Sequence, residues 1–276
     1  MVKKTALLTV LFLIICLSAG GQTAGLKILV EEIDGSLAIV KSQGTAKDLV
    51  IPETIDGKPV AVIGEGAFTR RQLTSVTIPD SIVSIGAGAF AYNNLATVII
   101  GNNVTAIGTG AFANNQLTSV TIGAGVETIG KGAFANNQLT SVTIPDSVAS
   151  IGDYAFFFNK IKSLTLSGGV TVIGEGAFSG NHLSAVDIGS GVTNVGDGAF
   201  FNNNITSVTI PASVTVLGKR VFDVRTIRGV RPNIDYVDAA GNVVHTTANN
   251  FDTYYASTGK RAGKYTYAQG GWTFNN

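Results

Sequence analysis

Few residues in this chain have side chains that could catalyse a reaction or bind a metal. His182 and His245 are the only histidines, and Cys16 is the only cysteine. Asp187 follows His182 closely, but a hydrolase also needs an activated nucleophile and an oxyanion site, and no motif marks either. No cluster has the ligand spacing of a zinc, calcium or iron site. We therefore expect no enzyme activity, no catalytic residues, no metal and no cofactor.

Gly-x-Gly segments recur along the chain, for example at residues 64–66 and 130–132. A phosphate-binding loop needs a Lys-Ser/Thr pair after its glycines, and none follows here. Their regular recurrence indicates a structural role, so no nucleotide site is predicted.

The sequence that contains these glycine segments repeats with a period of 22 residues, a length typical of a solenoid. Eight phenylalanines show the period: Phe68, Phe90, Phe112, Phe134, Phe156, Phe178, Phe200 and Phe222. Within one unit, Val76 and Ile78 alternate with Ser75 and Thr77, which predicts a short strand with the apolar pair pointing inward. The Gly-Ala-Phe segment is long enough for only a single helical or 3₁₀ turn. Its phenylalanine is expected to fill the interior.

One asparagine also recurs in each unit, shortly after the phenylalanine. The row consists of Asn93, Asn115, Asn137, Asn159, Asn181 and Asn203. It could be a glycan-binding row, but buried stacked turns need partners for their backbone groups, and Asn side chains supply them. We favour the structural interpretation.

Together these residues resemble the BspA-like, or treponemal-type, leucine-rich repeat, whose pattern runs L-x-x-L-x-L-P-x-x-L-x-x-I-G-x-x-A-F. The resemblance covers residues 49–222 and implies a β-rich leucine-rich repeat solenoid of the α/β repeat class. About eight 22-residue repeats, short helical or 3₁₀ turns and β-hairpin caps are expected. It also implies an exported bacterial protein, since many members lie at the cell surface and are linked to adhesion. Many such repeats carry cysteine where this chain has the asparagine row, and no site residues carry over because the family has no general binding motif.

The outward strand positions form two rows of hydroxyl side chains, interrupted by Asp187. With strands ~4.8 Å apart, the rows predict one hydroxyl-covered sheet along the solenoid. It could be a binding face for an extended protein segment or a polysaccharide, or simply a solvated surface, since threonine suits strands. The candidate ligand face comprises Ser119, Thr121, Ser141, Thr143, Ser163, Thr165 and Asp187.

Four aromatic residues form a second candidate surface. Phe157 and Phe201 replace the small residue that follows the interior phenylalanine in other units, and Tyr92 and Phe158 lie one position further on. Exposed aromatics often anchor interfaces, although packing between adjacent turns is an equally good explanation.

The first residues are typical of a secretory signal peptide. Lys3 and Lys4 precede an apolar run over residues 6–17, and small residues follow at 18–21. Cys16 could be the acylated cysteine of a lipoprotein, although Ile15 before it is larger than usual. Alternatively, cleavage after residue 19 or 20 would leave a mature chain without cysteine. No later segment has the ~20 apolar residues of a membrane span.

The chain divides into four predicted segments. They are a signal peptide (1–20), an N-terminal β-hairpin cap (21–48), the repeat solenoid (49–223) and a C-terminal cap or small aromatic β module (224–276). The first hairpin is expected around Asp34-Gly35, a dipeptide that favours tight turns. The last segment should contain a hairpin, since residues 265–267 and 272–274 flank a Gly-rich turn.

These features predict a non-enzymatic exported protein, either at the cell surface, in the periplasm or secreted. Its repeat sheet would mediate adhesion or another protein–protein contact, with a host matrix or cell-surface protein or polysaccharide as partner. The alternative is a structural envelope protein that self-associates, because acidic side chains exceed basic ones over residues 49–218 and the reverse holds over 219–264. A formal net charge of +1 with only 13% charged residues does not suggest nucleic-acid binding.

Overall fold

The structure is a computed structural model that describes residues 26–222 in full. It also describes the backbone of residues 15–16, 233–237, 243–247, 263–268 and 271–275, with the side chains of Thr273 and Phe274. Most of the predicted signal peptide and most of the predicted C-terminal segment lie outside the described residues.

The described residues form a β-solenoid of about eight turns and contain no helix. The N-terminal strands are β1 (Ile15–Cys16), β2 (Lys27–Ile33), β3 (Ser36–Gln43), β5 (Thr54–Ile55) and β6 (Lys58–Ile63). The face strands are β4 (Asp48–Val50), β7 (Ser75–Thr77), β9 (Thr97–Ile99), β11 (Ser119–Thr121), β13 (Ser141–Ile144), β15 (Ser163–Leu166), β17 (Ala185–Asp187) and β19 (Ser207–Ile210). The short strands are β8 (Ser84–Ile85), β10 (Ala106–Ile107), β12 (Thr128–Ile129), β14 (Ser150–Ile151), β16 (Val172–Ile173), β18 (Asn194–Val195) and β20 (Val216–Leu217). The C-terminal strands are β21 (Asn233–Val237), β22 (Val243–Thr247), β23 (Gly263–Ala268) and β24 (Gly271–Asn275).

The short strands form one continuous parallel ladder from β8 to β20. Ile107 pairs with Ile85 on one side and Ile129 on the other, so each turn of the coil is one 22-residue repeat. The predicted hairpin around Asp34-Gly35 joins β2 to β3, and β3 pairs with β6 at the first end of this ladder. The Gly-Ala-Phe segments between the short strands and the next face strand form hydrogen-bonded turns rather than helical ones.

The face strands do not form the single sheet that the hydroxyl rows predicted. They pair as β4 with β7, β9 with β11, β13 with β15 and β17 with β19, and within the described residues no ladder joins one pair to the next. The interruptions do not follow the spacing of the interior, since equivalent phenylalanine rings lie a nearly constant 5.2–5.5 Å apart along the row.

The phenylalanine row fills the interior, as predicted. All eight rings are at most 1% exposed, and neighbours stack with interplanar angles of 2–11°. Isoleucine, leucine and valine from both sets of strands surround the row in one hydrophobic core.

The asparagine row satisfies buried backbone groups, which confirms its structural interpretation. Nδ2 of Asn137 donates to the carbonyl oxygens of Phe112 (3.0 Å) and Phe134 (3.1 Å), and its Oδ1 accepts the Leu117 N–H (3.0 Å). The bonds to Phe112 and Leu117 reach into the preceding repeat, so each asparagine joins two turns of the coil.

The C-terminal hairpin extends the last face pair. β23 and β24 pair antiparallel as predicted, and β23 pairs in turn with β19, with Ser207 opposite Thr266 and Ile210 opposite Gly263. Phe274 packs against the core. The hairpin therefore covers the outer edge of β19.

We expect the core substitution Phe134→Ala to lower the free energy of unfolding by ~3–5 kcal/mol, because it leaves a cavity in a stacked interior. Chemical denaturation measures the loss. Gln138→Ala, four residues away at a partly exposed position, is the control and should change it by less than ~0.5 kcal/mol. Equal effects of the two substitutions would contradict the assignment of the row to the core.

We also expect Gly130→Ala to destabilise the solenoid by ~1–3 kcal/mol, because adjacent turns leave no room for a side chain. A Cβ on Gly130 would lie 2.7 Å from the backbone of Gly108, Ile107 and Thr109. Gly168 is the matched control, since nothing lies within 4 Å of its Cβ position. Thermal denaturation of both variants tests this, and a Gly168→Ala protein as unstable as Gly130→Ala would contradict close turn packing as the cause.

Candidate functional site

The predicted ligand face is exposed along the face strands. Alternation within each strand buries one set of side chains and turns the other outward, so that Ser119, Thr121, Ser141, Thr143, Ser163, Thr165 and Asp187 are all exposed. The pairing places Ser141 beside Ser163 and Thr143 beside Thr165 in register. We call this surface the strand face. Its hydroxyl groups can donate and accept hydrogen bonds but carry no charge.

A groove opens on the strand face where the ladder is interrupted between β15 and β17. Its volume is about 610 Å³. Thr165, Asp187 and Thr209 contribute polar side chains, and the half-buried Leu164 and Leu166 contribute apolar surface. The structure thus brings Thr165 and Asp187 together, whereas the other five residues of the predicted ligand face lie outside this groove.

Asp187 is the charged side chain among the described residues that line the groove. Its Oδ1 accepts the Gly189 N–H at 3.1 Å, a contact within the same turn that restrains the carboxylate. The side chain remains exposed, so it can meet a cationic or hydrogen-bond-donating group of a partner. The groove therefore offers a fixed negative charge beside apolar and hydroxyl surface.

The predicted aromatic residues do not form one surface. Tyr92 lies under the Arg70 guanidinium, whose central carbon is 4.4 Å from the ring centroid. Phe158 packs edge-on against Phe157, with 4.4 Å between centroids. Only Phe157 and Phe201 line a common cleft.

We call this the corner cleft, and its volume is about 440 Å³. Sequence reasoning missed the other side chains that line it. They are Tyr154, Glu175, Ser179, Asp197, Lys219 and Arg220. A signal was present, since Tyr154 and Arg220 occupy a slot that is glycine in six other repeats.

Two contacts organise the corner cleft. The Tyr154 hydroxyl donates to Oε1 of Glu175, and this hydrogen bond raises the pKa of Tyr154 above its usual value. The Arg220 guanidinium lies over the Phe201 ring at 4.6 Å, a favourable cation–π geometry. The cleft therefore combines aromatic surface with groups of both charges.

The comparisons with known proteins agree with this architecture. The profile of the BspA type leucine rich repeat region matches residues 45–157 and 105–228, in six copies. Together these segments span more than half of the chain. The protein belongs to the BspA-type leucine-rich repeat family.

Solved structures similar to this BspA-type protein include a leucine-rich repeat protein from Bacteroides ovatus, with 19% identity over 71% of this chain and 66% of that one, and a TM-score of 0.48. The leucine-rich repeat protein TpLRR of T. pallidum has 21% identity over 72% of this chain and 88% of its own, with a TM-score of 0.46. The pneumococcal vaccine antigen PcpA has 18% identity over 75% and 72%, with a TM-score of 0.44. The match thus spans slightly under two thirds of the Bacteroides ovatus protein. No curated protein matches the sequence.

Membership of the BspA-type family indicates a repeat protein that acts through protein–protein contacts, and such families are typically non-enzymatic. His182 is exposed, and its backbone N–H donates to the Ile161 carbonyl at 2.9 Å. Among the described residues, no group of three or more His, Cys, Asp or Glu side chains could hold a metal ion. The same part of the chain contains no helix long and apolar enough to cross a membrane.

Proposed function

We propose that this protein is an exported bacterial adhesin that binds an extended protein segment along its strand face. The observation that carries the proposal is the groove at β15 and β17, where the exposed Thr165 and Asp187 meet apolar surface on a face rich in hydroxyl groups. A protein segment offers matching groups, namely backbone donors and acceptors for the hydroxyls, an apolar side chain for Leu164 and Leu166, and a basic side chain for Asp187.

Affinity would have to come from several repeats acting together. A single neutral hydrogen bond contributes only ~0.5–1.5 kcal/mol net, because both groups are solvated before binding. Contacts repeated along one rigid face add without a new association cost for each. Loss of binding should therefore grow with the number of repeats that are altered.

The N-terminal sequence supports export. The basic pair, apolar run and small residues over 1–21 are those of a signal peptide, and the BspA-type family resemblance implies surface proteins. The protein could then either be released or be anchored through an acylated Cys16.

For the binding surface, we expect the triple variant Thr121→Lys, Thr143→Lys and Thr165→Lys to lose capture of immobilised matrix proteins, because three long charged side chains would cover the face. Single variants should lose part of it. The matched control is Gln116→Lys with Asn204→Lys, since the equivalent position of another repeat already carries Lys160 and both residues are exposed.

Surface plasmon resonance against a panel of purified matrix proteins measures the capture, and circular dichroism melts verify that each variant is folded. Normal binding by the folded triple lysine variant, together with loss of binding by the control variant, would contradict the assignment of the strand face as the binding surface. Sedimentation at low and high salt tests the self-association alternative, since exposed charge contacts are screened within ~8 Å at physiological ionic strength.

For export, we expect intact-mass analysis of cell fractions to show one of two mature forms, because a signal peptide is removed during secretion. Cleavage near Ala19 gives a soluble chain that begins at Gly20 or Gly21, and acylation gives a membrane-bound chain that begins with a lipid-modified Cys16. A cytoplasmic chain that retains Met1 would contradict both.

A further inference from the structure

The repeats provide an internal reference for which residues the coil needs. Equivalent positions in stacked turns have nearly the same neighbours. A position that holds the same kind of residue in most repeats is therefore one that the stacking of the turns requires. A departure at such a position needs another explanation. In this chain, four departures line the corner cleft: Tyr154, Phe157, Phe201 and Arg220.

Two of the four residues have a backbone conformation that suits glycine. Tyr154 and Arg220 both have φ of 57°, and the glycines that fill the same slot elsewhere, such as Gly132 and Gly176, have φ of 59° and 56°. Residues other than glycine adopt this left-handed region at a cost in conformational free energy. Bulky side chains are therefore present at positions where the fold alone favours glycine.

The other two departures form opposite walls of a gap. Phe157 and Phe201 occupy equivalent slots two repeats apart, roughly 10 Å along the rod at ~4.8 Å per strand. The slot between them holds the small Ser179, and other repeats carry Ala91, Ala113 and Ala135 there. The gap is thus one repeat wide and has an aromatic side chain on either side.

The charges that line the cleft cancel. Glu175 and Asp197 carry negative charge, and Lys219 and Arg220 carry positive charge. A strongly anionic or cationic ligand would meet like charge on one side of the cleft. A neutral ligand with many hydroxyl groups can instead donate to the carboxylates and accept from the cationic groups.

We infer that the corner cleft binds a neutral hexopyranose unit of a polysaccharide. The apolar C–H face of the sugar ring would pack against Phe157 or Phe201, and its hydroxyls would bond to Glu175, Asp197 and Arg220. The Tyr154 hydroxyl, which donates to Glu175, holds that carboxylate in place. A volume of about 440 Å³ lies within the ~300–1,000 Å³ of small-ligand sites and has room for a mono- or disaccharide. The site is separate from the strand face and does not depend on the function proposed for it.

The test is calorimetric titration of the full chain with neutral oligosaccharides, namely maltotriose, cellotriose, mannotriose and chitotriose. Sialyllactose and a heparin hexasaccharide serve as anionic probes, and a neutral tyrosine-containing peptide tests the protein-ligand alternative. At least one neutral oligosaccharide should bind saturably at millimolar concentrations or below.

Two variants should weaken that binding about ten-fold or more, because each removes the aromatic gap. The double variant Phe157→Ala and Phe201→Ala replaces both walls with the alanine of other repeats. The single variant Ser179→Phe fills the space between them. Ala113→Phe changes an equivalent slot outside the cleft and should leave Kd unchanged, and so should Thr143→Lys on the strand face.

The inference is overturned if no neutral oligosaccharide binds, or if binding survives in the folded Phe157→Ala/Phe201→Ala protein. Tighter binding of an anionic sugar or of the peptide, lost in the same variants, would assign the cleft to another ligand class and also overturn it. Because Thr143→Lys alters only the strand face, failure of this inference and failure of the proposed adhesin function give different results.

Discussion

The hydrogen bonds from each repeat asparagine to backbone groups of its own turn and of the preceding turn are the constraint on which the rest of the solenoid depends. Asn137 joins the carbonyls of Phe112 and Phe134 and accepts the Leu117 N–H, all in the buried interior. A buried peptide group without a partner costs free energy comparable to a lost hydrogen bond. The asparagine removes that cost at the point where the chain turns from its phenylalanine towards the next face strand, and it does so only when its repeat is in register with the preceding one.

Register at the asparagine determines the rest of the stack. The phenylalanine rings meet face to face at 5.2–5.5 Å, and the glycines after the short strands let adjacent backbones come closer than a Cβ would permit. Because these interior contacts hold the repeats in register, the fold places few requirements on the side chains at the outward positions of the face strands. Serine and threonine fill most of them, and the exposed surface can change without loss of the fold.

Function in such a protein is then expected where repeats differ from one another. On the strand face, Asp187 replaces threonine and lies in the groove between β15 and β17. On the turn side, Tyr154 and Arg220 replace glycine, and Phe157 and Phe201 replace small residues, around one cleft. Both places lie in the C-terminal half of the described solenoid, next to the repeats that the β23–β24 hairpin closes.

The sequence by itself determined the 22-residue coil, the interior phenylalanines, the outward hydroxyl rows and the role of the asparagines, because each follows from local alternation or from one residue type at a constant spacing. It also indicated both hairpins, through Asp34-Gly35 and the Gly-rich turn near the C-terminus. Only the tertiary structure decided that the face strands pair two by two, that β23 joins β19, and that Tyr154 and Arg220 share a cleft. These features depend on how residues 22 to 66 positions apart are placed relative to one another, which no local pattern contains.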